Sequence, residues 1–128
     1  MSAEKPRTII ADDESHIRTL MKTILQMMNY EVVAEASNGQ QAIDYFKELK
    51  PEITLLDVNM PLKTGLEALK EIKEIAPGAC VIMLSSVSDL ESVQEAIEMG
   101  ASHFIRKDTQ ITEIKKMIAE TWQQHQHS

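Results

Sequence analysis

The 128-residue chain has little of what marks the specialised classes of protein. Its one cysteine, Cys80, cannot form a disulfide within the chain, which fits a reducing compartment. No apolar run approaches the roughly 20 residues that a membrane span needs, and no hydrophobic segment follows the N-terminus as in a secretory signal. Acidic residues outnumber basic ones, and a net charge of −7 disfavours binding to nucleic-acid phosphates. We therefore expect a cytoplasmic protein that binds neither membranes nor nucleic acids.

The sequence does contain a regular alternation of short apolar runs with longer amphipathic segments. The short runs predict strands, and apolar residues three and four positions apart predict helices. The predicted strands are 8–11, 31–36, 53–56, 80–84 and 102–106, and the predicted helices are 15–28, 40–49, 66–75, 90–99 and 112–125. A capping box at 88–91 should open the fourth helix, and Gly100 should end it. Its residues Leu90, Val93 and Ile97 should face the core.

Five strand–helix units in succession favour a doubly wound α/β fold, in which helices cover both faces of a five-stranded parallel sheet. The crossovers should be right-handed, and such a sheet runs in the order 2-1-3-4-5. Ligands bind this kind of sheet beyond the carboxyl ends of strands one and three, where the strand order reverses. Nothing in the composition marks a linker, so residues 1–128 are expected to be one domain with its core at about 6–123.

Polar residues follow four of the predicted strands. Asp12 and Asp13 follow the first, Asp57 the third, Ser85 the fourth and Lys107 the fifth. Carboxylates that cluster repel one another unless a cation is bound, and oxygen ligands favour Mg²⁺ or Mn²⁺ over Zn²⁺. The lysine and the hydroxyl would then hold an anion, and a carboxylate nucleophile that forms an aspartyl-phosphate fits such a site. Taken singly, each residue could instead be a helix cap, a turn residue, a surface lysine or a loop hydroxyl.

These residues, together with Asn59-Met60-Pro61, Gly65 and the segment 100–107, resemble the receiver domain of two-component response regulators. The resemblance covers roughly residues 6–123 and implies the flavodoxin-like receiver fold. It also implies roles for a set of residues: Asp57 as phosphoacceptor; Asp13, Asp12 (mostly through water), Asp57 and the backbone carbonyl of Asn59 as Mg²⁺ ligands; Lys107 and Ser85 as phosphoryl-binding residues; and Phe104 with Ser85 as a conformational switch.

The resemblance further implies partners. A sensor histidine kinase or a histidine phosphotransfer domain would supply the phosphoryl group, and helix four, strand five and helix five would present a changed surface to a downstream protein. The short chain most resembles the single-domain chemotaxis members, whose target is a flagellar-motor switch protein. It would act as a monomer that loses its phosphoryl group slowly, not as an enzyme.

Several alternatives remain open from the sequence. Within the family, the chain could be a phosphorelay intermediate or a receiver taken from a larger regulator. A phosphohydrolase with an aspartate nucleophile is a more distant alternative, although Asp12-Asp13-Glu14 lacks a second aspartate two residues on. A flavin-binding electron carrier is disfavoured because the same acidic segment would repel a phosphate.

One position departs from the family's pattern. Asp108 stands where the family usually has a proline on a cis peptide bond. A cis bond before any other residue costs about 2.5–4 kcal/mol, so we expect a trans peptide or a rebuilt loop at this point. Asp108 also adds a negative charge beside Lys107, which could change the placement of the lysine.

Overall fold

The five predicted strand–helix units are present in a computed structural model, which describes residues 5–86 and 89–127. The strands are β1 (Arg7–Ala11), β2 (Glu31–Ala36), β3 (Ile53–Asp57), β4 (Cys80–Ser85) and β5 (His103–Arg106). The helices are α1 (Ser15–Met27), α2 (Gly39–Leu49), α3 (Gly65–Ile75), α4 (Leu90–Glu98) and α5 (Ile111–Gln126). All strand pairs are parallel, in the order β2-β1-β3-β4-β5. The predicted doubly wound α/β fold is therefore confirmed.

Two interior strands, β3 and β4, are buried along their whole length because helices cover both faces of the sheet. Their side chains alternate between two hydrophobic clusters. Leu56 and Met83 pack with α2, α3 and α4 on one face, whereas Leu55 and Ile82 pack with α1 and α5 on the other. Asp57 and Ser85 end these two strands, which places their side chains at the same carboxyl edge of the sheet.

Helix α4 is oriented differently from the prediction. Leu90 and Ile97 are 73% and 43% exposed, whereas Val93 is buried as predicted and Ala96 takes the second buried position. The buried stripe thus runs through the small Ala96, which lets the nine-residue helix approach the sheet while the neighbouring Ile97 turns outward. Only part of the predicted capping box can be compared, because Ser88 lies outside the described residues.

The end of α4 agrees with the prediction. Gly100 adopts a φ of 105°, a left-handed conformation that glycine adopts without steric cost, and the chain then enters β5. Among the described helices, none combines the length and the apolar character that crossing a membrane requires.

Candidate metal and anion site

Three carboxylates meet at the carboxyl ends of β1 and β3. Asp12 is completely buried and Asp57 is 2% exposed, while Asp13 lies at the surface. One oxygen atom from each side chain lies within 4.8 Å of the others. The strands that carry them are neighbours, since Ala11 pairs with Leu56, and they flank the point where the strand order reverses. The structure therefore brings together the three aspartates that the sequence singled out.

Lys107 reaches into this cluster from the end of β5. Its ammonium nitrogen lies 3.0 Å from Asp12 Oδ2, 3.0 Å from Glu14 Oε1 and 3.1 Å from Asp57 Oδ1. Burial alone would lower the pKa of Lys107, but the close contacts with the carboxylates of Asp12 and Glu14 and the nearby charge of Asp57 outweigh burial and raise it. Lys107 therefore stays charged and partly neutralises the carboxylates.

The pKa of Asp57 is raised to about 7. The main cause is burial, the second is the charge of Asp12, and the opposing effects of Lys107 and of the Asn59 backbone N–H are smaller. That N–H lies 3.4 Å from Asp57 Oδ1. Holding Asp57 as a carboxylate at neutral pH thus requires more positive charge than Lys107 alone supplies.

The donor set fits a small divalent cation. Asp12 Oδ1 accepts a hydrogen bond of 2.9 Å from the Glu14 backbone N–H, which orients the carboxylate. The buried Oδ2 of Asp12 accepts no well-formed hydrogen bond from the part of the chain that the structure describes, and the ammonium of Lys107 is its ion-pair partner. A buried carboxylate oxygen beside Asp13 and Asp57 is the kind of ligand that Mg²⁺ prefers.

An open pocket of about 330 Å³ lies against these residues. It is lined by Asp13, Glu14, Asp57, Asn59, Ser86, Asp89 and Lys107. The space is large enough for a phosphate-sized group and waters, and its walls carry acidic groups, a lysine and amide donors. The site can therefore accept a small anion beside Asp57 once the negative charge of its walls is compensated.

Sequence reasoning missed two acidic residues of this pocket. Glu14 accepts a hydrogen bond from the ammonium of Lys107. This bond is the main cause of the lowered pKa of Glu14. The carboxylate of Asp89 accepts hydrogen bonds from Asn59 and Ser86, which lower its pKa although burial acts in the opposite direction. The run Asp12-Asp13-Glu14 was a usable signal for Glu14, whereas Asp89 looked like part of a helix cap.

The predicted switch residues share a second, smaller pocket. Ser85 ends β4 and is 1% exposed, and Phe104 in β5 is partly buried. Both line a cavity of about 160 Å³ together with Leu90 and Val93 of α4. Ser85 follows Leu84, the residue of β4 that pairs with Asp57, so the two pockets lie next to each other across the sheet edge.

The loop after Asp57 is held by close backbone packing. A Cβ atom at Gly65 would overlap the Asp57 carbonyl oxygen, so only glycine allows this approach. The Gly65 N–H donates to the Val58 carbonyl at 2.8 Å, and a capping box between Thr64 and Glu67 starts α3 directly afterwards. These contacts fix the position of the chain on both sides of Asn59.

Asp108 leaves Lys107 in place. No cis peptide bond occurs in the described ranges 5–86 and 89–127, so the bond before Asp108 is trans, and the prediction is confirmed. The Asp108 carboxylate binds the Arg106 guanidinium at 2.7 and 3.1 Å. Its charge is thereby directed away from the pocket, and the lysine keeps its three carboxylate partners.

Comparison with known proteins places these features in one family. A family model described as "Response regulator receiver domain" matches residues 8–119. The chain is 41% identical to the chemotaxis protein CheY of Thermotoga maritima over 88% of this chain and 93% of that protein. It is also 41% identical to the chemotaxis protein CheY of Bacillus subtilis, over 90% and 96% of the two chains. The receiver domain of AraT, a response regulator from Geobacillus stearothermophilus, superimposes with a TM-score of 0.89 at 25% identity and covers 97% of this chain and 98% of its own.

Proposed function

Since the chain belongs to the response regulator receiver domain family, we propose that Asp57 accepts a phosphoryl group in two-component signalling. The observation that carries the proposal is the surroundings of the Asp57 carboxylate. It faces a pocket at the switch point of the sheet, with Lys107 3.1 Å away and the carboxylates of Asp12 and Asp13 beside it. In this proposal Asp57 is the nucleophile, the three aspartates belong to the cation-binding set and Lys107 binds the anion.

The reaction would transfer the phosphoryl group from a phosphohistidine of a sensor kinase or a phosphotransfer domain. A carboxylate oxygen of Asp57 forms a bond to phosphorus as the P–N bond breaks, and the leaving imidazole keeps the electron pair and takes up a proton. Lys107 favours the charged form of Asp57 before transfer, together with the cation discussed below, and afterwards contacts a phosphoryl oxygen. Ser85 contributes its hydroxyl to another phosphoryl oxygen. A small acyl phosphate would react in the same way through cleavage of its P–O bond.

A divalent cation belongs to this proposal. Asp12, Asp13, Asp57 and the backbone carbonyl of Asn59 would hold Mg²⁺, with Mn²⁺ as a substitute. When bound, the ion supplies positive charge that neutralises both the carboxylates and the phosphoryl oxygens. The raised pKa of Asp57 supports this role, because the carboxylate lacks sufficient positive charge without it.

The output would pass through α4, β5 and α5. Phe104 and Ser85 line one cavity with Leu90 and Val93, so a shift of Ser85 towards a phosphoryl group would open space for the aromatic ring and move α4. Three exposed hydrophobic residues belong to this face or its edge: Leu90, Ile97 and Ile111. They offer a docking surface for a downstream protein.

The similarity to two chemotaxis proteins favours a role in chemotaxis, with a flagellar-motor switch protein as the target. We place this activity in a single monomeric domain of residues 1–128 that acts in the cytoplasm and loses its phosphoryl group slowly rather than turning over a substrate. A phosphorelay intermediate would use the same site and differ only in its acceptor.

The test uses acetyl phosphate and Mg²⁺ with the purified chain and intact-mass measurement. The wild type should gain one phosphoryl group, and Asp57→Asn should gain none. Asp44→Asn is the matched control, because it removes one exposed carboxylate of α2 and should leave uptake unchanged. An unmodified wild type, or a mass gain that persists in Asp57→Asn, would contradict the proposal.

A further inference from the structure

Asp89 stands at the N-cap position of α4 but does not cap it. Aspartate at this position usually accepts a hydrogen bond from the first turn of the helix. Within the described part of the chain, the Asp89 side chain makes no such bond to α4. Asp89 as a whole is only 9% exposed. Its carboxylate points back to the carboxyl edge of the sheet instead. A buried charge turned away from its own helix needs another explanation.

The carboxylate of Asp89 collects donors from two segments that flank Asp57. Oδ2 accepts the backbone N–H of Ser86 at 2.8 Å and the Ser86 hydroxyl at 2.9 Å. Oδ1 accepts the side-chain amide of Asn59 at 2.8 Å. Ser86, Asn59, Asp57 and Asp89 line the same pocket. An acidic group therefore occupies three of the hydrogen-bond donors at the place where the phosphoryl group of the proposed function would sit.

We propose that Asp89 is an internal anion that competes with the phosphoryl group for the Ser86 and Asn59 donors and is displaced when Asp57 is phosphorylated. This inference rests on the proposed function. It assigns Asp89 as a positioning residue that sets the affinity of the site for the phosphoryl group and couples that group to the start of α4.

The physical reason is charge combined with shared donors. A phosphoryl group carries about −1.5 to −2 charges and three strong acceptor oxygens, so it repels a carboxylate in the same pocket and competes with it for N–H and O–H groups. Once displaced, the Asp89 carboxylate can accept from the backbone N–H groups at the start of α4, where a negative charge is favourable. Leu90 follows Asp89 directly and is 73% exposed, so the exchange would move a residue of the proposed docking face.

The experiment measures binding of beryllofluoride, an acyl-phosphate mimic, to the full chain in the presence of Mg²⁺. Asp89→Ala removes the competing anion, so binding should become about tenfold tighter than in the wild type, as expected when a charged acceptor no longer holds the donors. Asp89→Asn keeps an acceptor oxygen without its charge and should show a smaller gain. A carboxylate that only stabilised the fold would instead give unchanged or weaker binding.

Glu91→Gln is the matched control. Glu91 lies in the first turn of α4, is exposed, and loses the same charge on substitution. Its binding constant should stay close to that of the wild type. An equal gain in Glu91→Gln would show a general electrostatic effect and would overturn the role of Asp89. The same conclusion would follow if Asp89→Ala and Asp89→Asn fold but bind beryllofluoride no more tightly than the wild type.

A spectroscopic readout tests the displacement itself. In the wild type, beryllofluoride should shift the NMR resonances of the Asn59 side-chain amide and of the Ser86 backbone N–H, because both donors change their acceptor. An Asn59 amide resonance that stays in place while beryllofluoride binds would refute displacement. Wild type that binds no beryllofluoride would refute the proposed function as well, whereas wild type that binds it without any gain in the Asp89 variants refutes this inference alone.

Discussion

Replacement of Asp57 by asparagine should stabilise the metal-free protein, and the gain should grow with pH. Asp57 is almost completely buried, and burial together with the charge of Asp12 raises its pKa to about 7. The unfolded chain has no such surroundings, so the pKa of Asp57 there is the ordinary 3.8 of an aspartate in water. Ionised Asp57 therefore costs the folded state free energy that asparagine avoids, while Lys107 keeps Asp12 and Glu14 as partners.

The sign and size follow from proton linkage. Between the two pKa values the folded protein binds more protons than the unfolded chain, so the stability of the wild type falls as pH rises and levels off above about 7. Below the unfolded pKa the carboxyl is neutral in both states and the cost is absent. Each unit of pKa difference corresponds to about 1.36 kcal/mol, so the advantage of Asp57→Asn should increase by about 2.5 kcal/mol between about pH 5 and pH 7.5.

The assay is urea unfolding at the two pH values in buffer with a metal chelator. Asp44→Asn provides the matched control, since its carboxylate is exposed, and its stability relative to the wild type should barely change with pH. Addition of Mg²⁺ should stabilise the wild type by mass action and stabilise Asp57→Asn less, because one of the proposed ligands is gone. An advantage of Asp57→Asn that is constant with pH, or that shrinks as pH rises, would refute the assigned cost of ionising Asp57.

Three further predictions concern stability. Lys107→Met leaves Asp12 and Asp57 without their ammonium partner and should lower the free energy of unfolding by about 3 kcal/mol in metal-free urea titrations, with part of the loss recovered in Mg²⁺; an unchanged midpoint would contradict the ion-pair geometry. Gly65→Ala should cost about 3 kcal/mol in the same assay because its Cβ overlaps the Asp57 carbonyl, whereas Gly78→Ala, which meets no described atom within 4 Å, should have little effect. Leu62 has a φ of 67° and is 81% exposed. Leu62→Gly should therefore stabilise the chain by about 1 kcal/mol relative to Leu62→Ala, because alanine keeps a Cβ atom that is strained at this φ. Equal melting temperatures of the two variants would argue against strain at this position.

The strand order and the aspartate cluster were predictable because both depend on simple rules. Asp12, Asp13 and Lys107 follow strands and Asp57 ends one, and the carboxyl ends of parallel strands all lie at the same edge of the sheet. The facing of α4 was not predictable, because an apolar series with spacings of three and four fits two overlapping stripes of a short helix. Only packing against the sheet selects the stripe through Ala96 over the one through Ile97.

The contacts of Asp89 were unpredictable for a different reason. An aspartate just before a helix predicts a cap, since local sequence cannot show whether the side chain turns forward into the helix or back to another strand end. The backward direction is held by two hydrogen bonds from Ser86, three positions upstream, and by one from Asn59, which lies 30 positions away in the sequence. The contact with Asn59 appears only when the tertiary structure is known, and in the proposed function it connects the site to the start of α4.

The position of Lys107 shows why a departure from the family's sequence pattern need not disturb the site. The Lys107 backbone N–H donates to the Ser85 carbonyl at 2.8 Å, which extends the β4–β5 pairing by one step past Arg106. The lysine is thus aimed by the strand that precedes it, and the residue that follows has little influence on its direction. Asp108 adds a charge, but its bidentate pair with Arg106 holds that charge at the surface. The ammonium of Lys107 therefore still binds the buried carboxylates of Asp12 and Asp57.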